Sequence, residues 1–249
     1  MTLILDAGEG WFALGSTRAE GRVLAAFDRA VYVDVVAGTL ALVGPSVPPG
    51  PLHLRLAELP AAAPGQQLHL DWAGAAHWRP PGLDAEALAH AAPTGFARLD
   101  GWTASPLAGM VDEIEAAHAA GGLATVVDLL GGRGPGLTPS GDDVLAGMVL
   151  VLALAGASRE ELRGVEHART HPISLAFLRW AARGQAVEPV HRLLAAVVDG
   201  DRASVRRHEA AVAALGHTSG ADLLLGVWLG LRHITAGSTH ITNTRLPMA

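Results

Sequence analysis

The 249-residue sequence predicts an α+β protein, with a small N-terminal β-barrel or sandwich-like domain followed by a larger, mainly helical domain. Three observations predict it. Short β-branched or alternating stretches separated by Gly and Pro fill residues 1–80. A breaker cluster, Arg79-Pro80-Pro81-Gly82, closes that region. Beyond it the apolar period changes to that of helices, over residues 83–236, leaving 237–249 as an extended or frayed tail.

The strands are expected at Arg22–Phe27, Ala30–Val36, Thr39–Val43, Leu52–Leu56 and Gln67–Trp72. A tight turn at Val36-Ala37-Gly38-Thr39 pairs two of them, and Gly44–Gly50 is a loop. Helices follow. Asp84 opens one that runs to Ala92, and Ser105-Pro106 reads as a cap with Pro at the first position of a helix to Ala120. Ala124–Leu130 reads as strand-like. An apolar helix follows from Asp142 to Leu154 with Ser140–Asp143 as its first turn, and Ser158-Arg-Glu-Glu161 is a capping-box pattern opening a helix to Arg169. Further helices are expected at Ser174–Arg183, Pro189–Val198, Arg202–Leu215 and Ser219–His233.

Composition narrows the chemistry. Half of the residues are apolar but only 17% are charged, which points to a surface partly hidden in an oligomer or a complex. Net charge is −6 and Arg is scattered, so no basic footprint for nucleic acid exists. There is no Cys and no Lys. Thiolate catalysis, Schiff-base chemistry and the Walker lysine are therefore excluded, and an anion must be held by Arg, backbone N–H groups or helix ends. Met1–Asp6 lacks the basic and apolar regions of a signal peptide. The longest apolar run, Val144–Ala157, is too short for a bilayer. A cytoplasmic protein is expected, without a membrane partner.

The chemistry concentrates in Gly131-Gly-Arg-Gly-Pro-Gly-Leu-Thr-Pro-Ser-Gly-Asp-Asp143. Its glycines permit positive φ and close approach of a ligand to bare backbone. The first turn of the following helix presents unpaired N–H groups with a macrodipole behind them, a setting for carboxylate or phosphate. Gly136-Leu-Thr-Pro-Ser-Gly141 has the frame of a P-loop, but Asp142-Asp143 stands where Lys-Ser/Thr is needed. Gly132, Gly134 and Gly136 lack the dinucleotide-binding spacing. The loop also has a shorter echo. Ser140-Gly-Asp-Asp-Val-Leu-Ala-Gly147 and Ser219-Gly-Ala-Asp-Leu-Leu-Leu-Gly226 share Ser, Gly, Asp, Leu and Gly at the same spacing. Two buried helices starting alike would give one pocket a doubled positive end.

The anion-binding residues read from this pattern are Arg133, Gly134, Gly136, Thr138, Ser140, Gly141, Thr218, Ser219, Gly220 and Asp222. Asp142, Asp143 and His217 are the candidate catalytic groups, and a hydrated magnesium ion at Asp142 and Asp143 is the alternative use of those carboxylates. Against a ligand site stands plain helix capping, because Ser140-x-x-Asp143 and Ser219-x-x-Asp222 are both capping-box patterns. Thr170 and Ser174 are read as caps of a helix opening towards the same place. His167 and His171 have a metal-ligand spacing, but Pro172 disfavours a shared helical face.

Gly134–Asp143 with Leu145 and Gly147, then Ile173-Ser174, then Gly216–Asp222 with Gly226, resembles the AllH-like family over about residues 125–230. The family is named after a subunit of oxamate carbamoyltransferase. The resemblance implies partner subunits and a place in anaerobic purine (allantoin) breakdown. It also implies a reaction of carbamoyl phosphate with oxamate to give oxalurate and phosphate, run in reverse during catabolism. It assigns no catalytic residues. A non-catalytic metabolite-binding or scaffolding subunit is the alternative, and a nucleotide-dependent phosphotransferase a third.

Overall fold

The computed structural model describes residues 3–242, which divide into two compact units. One unit comprises the chain up to Pro81 together with Gln185–Glu188; the other comprises Gly82–Gly184 and the chain from Pro189 onward.

The first unit is a curled six-stranded sheet, a half-barrel, as expected of a small barrel-like β domain. Its strands are β1 (Ile4–Ala7), β2 (Arg18–Phe27), β3 (Ala30–Val35), β4 (Gly38–Val43), β5 (His53–Leu56) and β6 (Gln67–Asp71), in the order β1-β5-β4-β3-β2-β6. β2, β3 and β4 form an antiparallel meander, and the expected turn at Val36–Thr39 joins the last two. β4 and β5 run parallel, so the connection between them crosses over. β1 escapes sequence reading because only four residues extend, and its Ala7 pairs with His77 far along the chain. The one-turn helix α1 (Glu9–Phe12) carries Trp11 into the concave core. Trp11 packs edge-to-face on Trp72 at 5.0 Å and donates its indole N–H to Leu52 O at 2.9 Å. Val31, Val33, Leu42, Leu52 and Leu54 complete that core.

The second unit is helical: α2 (Ala85–Phe96), α3 (Val111–Leu130), α4 (Ser140–Leu154), α5 (Arg159–Leu162), α6 (Pro172–Ala181), α7 (Glu188–Asp199, whose first residue belongs to the first unit), α8 (Arg202–Ala213) and α9 (Ser219–Thr242). Several expectations are corrected. Ala124–Leu130 is not a strand but the second half of α3, which breaks at Gly121 (φ −153°) and Gly122 (φ +68°). That break is why an unbroken helical period is not visible. The helix expected from Pro106 starts instead at Val111, after 3-10 turns at Gly101–Ala104 and Ala108–Met110. α2 continues through Pro93 to Phe96. The capping box at Ser158 and Glu161 forms, but it opens only four α-helical residues before a 3-10 turn, Arg163–His167. α9 runs on to Thr242, so the expected tail is helical up to that point; its remainder lies outside the described residues.

The core of this unit is the pair α4–α9. α4 is buried on nearly all sides from Val144 to Leu152. The two helices touch at their glycines. A Cβ on Gly147 would lie 2.3 Å from Leu223 O, one on Gly226 2.0 Å from Val144 O, and one on Gly230 2.7 Å from Val151 Cβ. Contacts therefore climb both helices in the same direction, so α4 and α9 lie parallel and begin at the same end.

Candidate functional site

Parallel neighbours align their macrodipoles, and two positive ends at one place repel. The sequence answers with three carboxylates in the two first turns: Asp142 and Asp143 on α4, Asp222 on α9. All three reach outside their own helix.

The capping box expected at Ser140 and Asp143 does not form. The N-cap of α4 is Pro139, with no side-chain cap, and Ser140 is already the first helical residue. Asp142, 1% exposed, accepts from Gly132 N–H at 2.8 Å on Oδ1 and from the Thr170 hydroxyl on Oδ2. It thereby ties the glycine loop, the head of α4 and the entry to α6 together. The cap of α6 is His171, whose Nδ1 accepts from Ile173 N–H at 3.2 Å. His167 lies on the preceding 3-10 turn, so the two imidazoles share no helical face. Asp143 takes the Ser219 hydroxyl from α9 as its donor. Asp222, fully buried, takes the Ser105 hydroxyl at 2.5 Å, and the Ser105 oxygen in turn accepts from Leu107 N–H at 3.1 Å. Thr170 and Ser105 thus act as donors to buried carboxylates rather than as caps. No local signal announces this, since Ser105 is 117 residues from Asp222.

Burial pushes the Asp143 carboxyl well above the usual carboxylate range; the Ser219 hydrogen bond opposes this, and the charges of Asp222 and Asp142 add to it.

The glycine loop folds back on the helix it opens. Gly132, Gly134 and Gly136 have φ of +73°, +116° and +93°, a region that side chains avoid. Gly141 N–H is taken by Arg133 O at 2.8 Å, and the N–H groups of Asp142 and Asp143 by Pro139 O. In the echo, Gly220 N–H is taken by Leu215 O and Asp222 N–H by Thr218 O. Much of the first-turn donor capacity is therefore spent within the protein. Gly141 and Gly220 are themselves packed tightly, their notional Cβ atoms 2.1 Å from Leu130 O and 2.2 Å from Val212 O. Arg133, Gly134, Gly136 and His217 are exposed, while Thr138, Thr218 and Ser219 are half-buried and Ser140 is buried. Deep carboxylates and exposed loop donors thus sit in two tiers. Among the described residues no group of three or more His, Cys, Asp or Glu side chains is arranged to hold a metal ion. Both Asp142 oxygens already have protein donors. No described helix is long and apolar enough to cross a membrane.

These features define a helical unit built on two parallel glycine-contact helices whose heads are held by buried carboxylates. Residues 130–231, from the last residue of α3 into α9, match the family model of oxamate carbamoyltransferase subunit AllH. The match includes both glycine loops, Thr170 and the three carboxylates, and leaves Ser105 and the whole sheet outside. No solved structure matches the chain.

Proposed function

We propose that the chain is a subunit of a carbamoyltransferase-type enzyme and binds a small anion, carboxylate or phosphate, where α4 and α9 begin. The observation that carries this reading is the meeting of two glycine-led helix heads within the AllH-matched stretch, tied by Asp143 and Ser219. The outer tier supplies the contacts: exposed Arg133, Gly134, Gly136 and His217, with the hydroxyls of half-buried Thr138 and Thr218 beside them. The deeper tier, buried Ser140, Gly141, Asp142, Gly220 and Asp222 with half-buried Ser219, sets the shape of the loops. Carbamoyl transfer suits such a site, because it asks for two aligned anions and stabilisation of developing oxyanion charge more than for a nucleophile.

The substrate pair of this reading is oxalurate with phosphate, giving oxamate and carbamoyl phosphate. Other subunits complete the enzyme, so the test uses the full chain co-expressed with them. Arg133→Ala removes a charge-assisted contact of about 1.5–3 kcal/mol, which is roughly a tenfold to hundredfold loss of kcat/KM for oxalurate phosphorolysis. Unchanged kcat/KM in Arg133→Ala and in His217→Ala would remove the anion from this place. A metabolite-sensing subunit would instead bind oxamate or carbamoyl phosphate by calorimetry, with turnover of the complex indifferent to both variants.

A further inference from the structure

The heads of α4 and α9 are short of positive charge. Two helix heads offer together on the order of one elementary charge, and three carboxylates gather there. Asp142 has its two protein donors, Asp222 has Ser105 on Oδ1, and Asp143 has Ser219. Two oxygens remain, Asp143 Oδ2 and Asp222 Oδ2; both are buried, neither has a hydrogen-bond partner, and their residues stand at matching positions one turn ahead of Gly147 and Gly226, where the parallel helices α4 and α9 touch. An ionised oxygen in such surroundings is costly, whereas a single proton turns one of two competing acceptors into a donor. Among the described residues, the groups named below offer no other remedy. The α4 head contributes Asp142, and the loop ahead of it Arg133, whose side chain is exposed. The approach to α6 contributes Thr170, bound to Asp142, and His171, bound to Ile173 N–H. The approach to α9 contributes His217, which is exposed. From the 3-10 segment come Ser105 and Asp100, and from α8 comes Glu209, whose Oε1 is occupied by the N–H groups of Asp100 and Gly101.

We propose that Asp143 and Asp222 hold one proton between them, the Asp143 carboxyl donating to the Asp222 carboxylate and joining the heads of α4 and α9. This does not depend on the substrate reading above. It makes the helix junction a pH-sensitive fastening. The folded pair keeps its proton where an unfolded aspartate, titrating near 3.8, has lost it. Stability contributed by the pair is therefore greatest at low pH and declines as pH rises, until the folded pair ionises. The raised Asp143 carboxyl agrees with that direction.

The test uses the full-length protein, wild type and Asp143→Asn, because an amide offers a permanent donor in place of the proton. Infrared spectra at pH 7 are expected to show the carbonyl stretch of a protonated carboxyl in the wild type and a weaker one in Asp143→Asn. The thermal midpoint of the wild type, relative to the variant, is expected to fall as pH is raised from 5 to 9. Parallel pH profiles for the two proteins would overturn the proposal, as would a wild-type spectrum without the protonated-carboxyl band, which is readable even if the variant fails to fold. A midpoint raised by added magnesium chloride and lowered by a chelator would also overturn it, by showing that a metal cation fills the gap instead.

Discussion

Asp142 sits where a helix wants a carboxylate, yet its oxygens turn away from its own helix to Gly132 and Thr170. A buried charge with two donors is stable only while both remain. Thr170→Val keeps the shape and removes one donor, so about 1–3 kcal/mol of stability should be lost. Chemical denaturation measures the loss, and faster amide exchange at Gly132 would place it in the loop. A loss under about 0.5 kcal/mol, the scale of an ordinary surface substitution, would mean that Thr170 is only a neighbour. The candidate residues at this scale were legible because Gly, Ser and Asp recur at one spacing in two places. Their partners were not. The same Ser-x-x-Asp pattern fits a local capping box and a cross-helix bond equally well, and only the packing of a second helix decides between them.

At the scale of elements, the shared pattern acquires its meaning from Gly147 and Gly226. Alanine inside a helix normally stabilises it by about 1 kcal/mol over glycine. Here the added methyl would meet backbone, Leu223 O and Val144 O, which cannot rotate away. Gly147→Ala and Gly226→Ala should therefore destabilise, by about 1–3 kcal/mol or more, as α4 and α9 are forced apart. Gly109→Ala, with nothing within 4 Å of its notional Cβ, is the control and should leave the thermal midpoint nearly unchanged. A stabilised Gly147→Ala would contradict the close parallel packing. Element existence was readable wherever a period was long and unbroken, as in α4. It failed where backbone geometry overrides the pattern: at the Gly121–Gly122 break, which made half of α3 look like a strand, and at the four-residue β1, which exists only because β5 and His77 lie beside it.

Across the whole molecule, each unit encloses a histidine that burial keeps neutral. His53 in the sheet unit and His191 in the helical unit are both lowered to about 4, chiefly by desolvation. The unfolded chain takes up these protons near pH 6.5, while the folded chain refuses them down to about 4. Stability is thus complete above 6.5 and is lost as pH falls towards 4. At about 1.36 kcal/mol for each pH unit, each histidine withdraws roughly 2 kcal/mol by pH 5. Asp6 and Asp143, whose carboxyls are raised chiefly by burial, slope the other way in their respective units and partly offset the loss. The histidine contribution is therefore best isolated by difference. Relative to His53→Gln or His191→Gln, the wild type should lose about 2 kcal/mol between pH 7 and pH 5. Wild type and variant denaturation curves that shift in parallel over that range would show that the imidazole titrates alike in folded and unfolded chains. Because the two histidines belong to different units, acid should weaken both units, and suppressing it in one by substitution should leave the other as acid-sensitive as before.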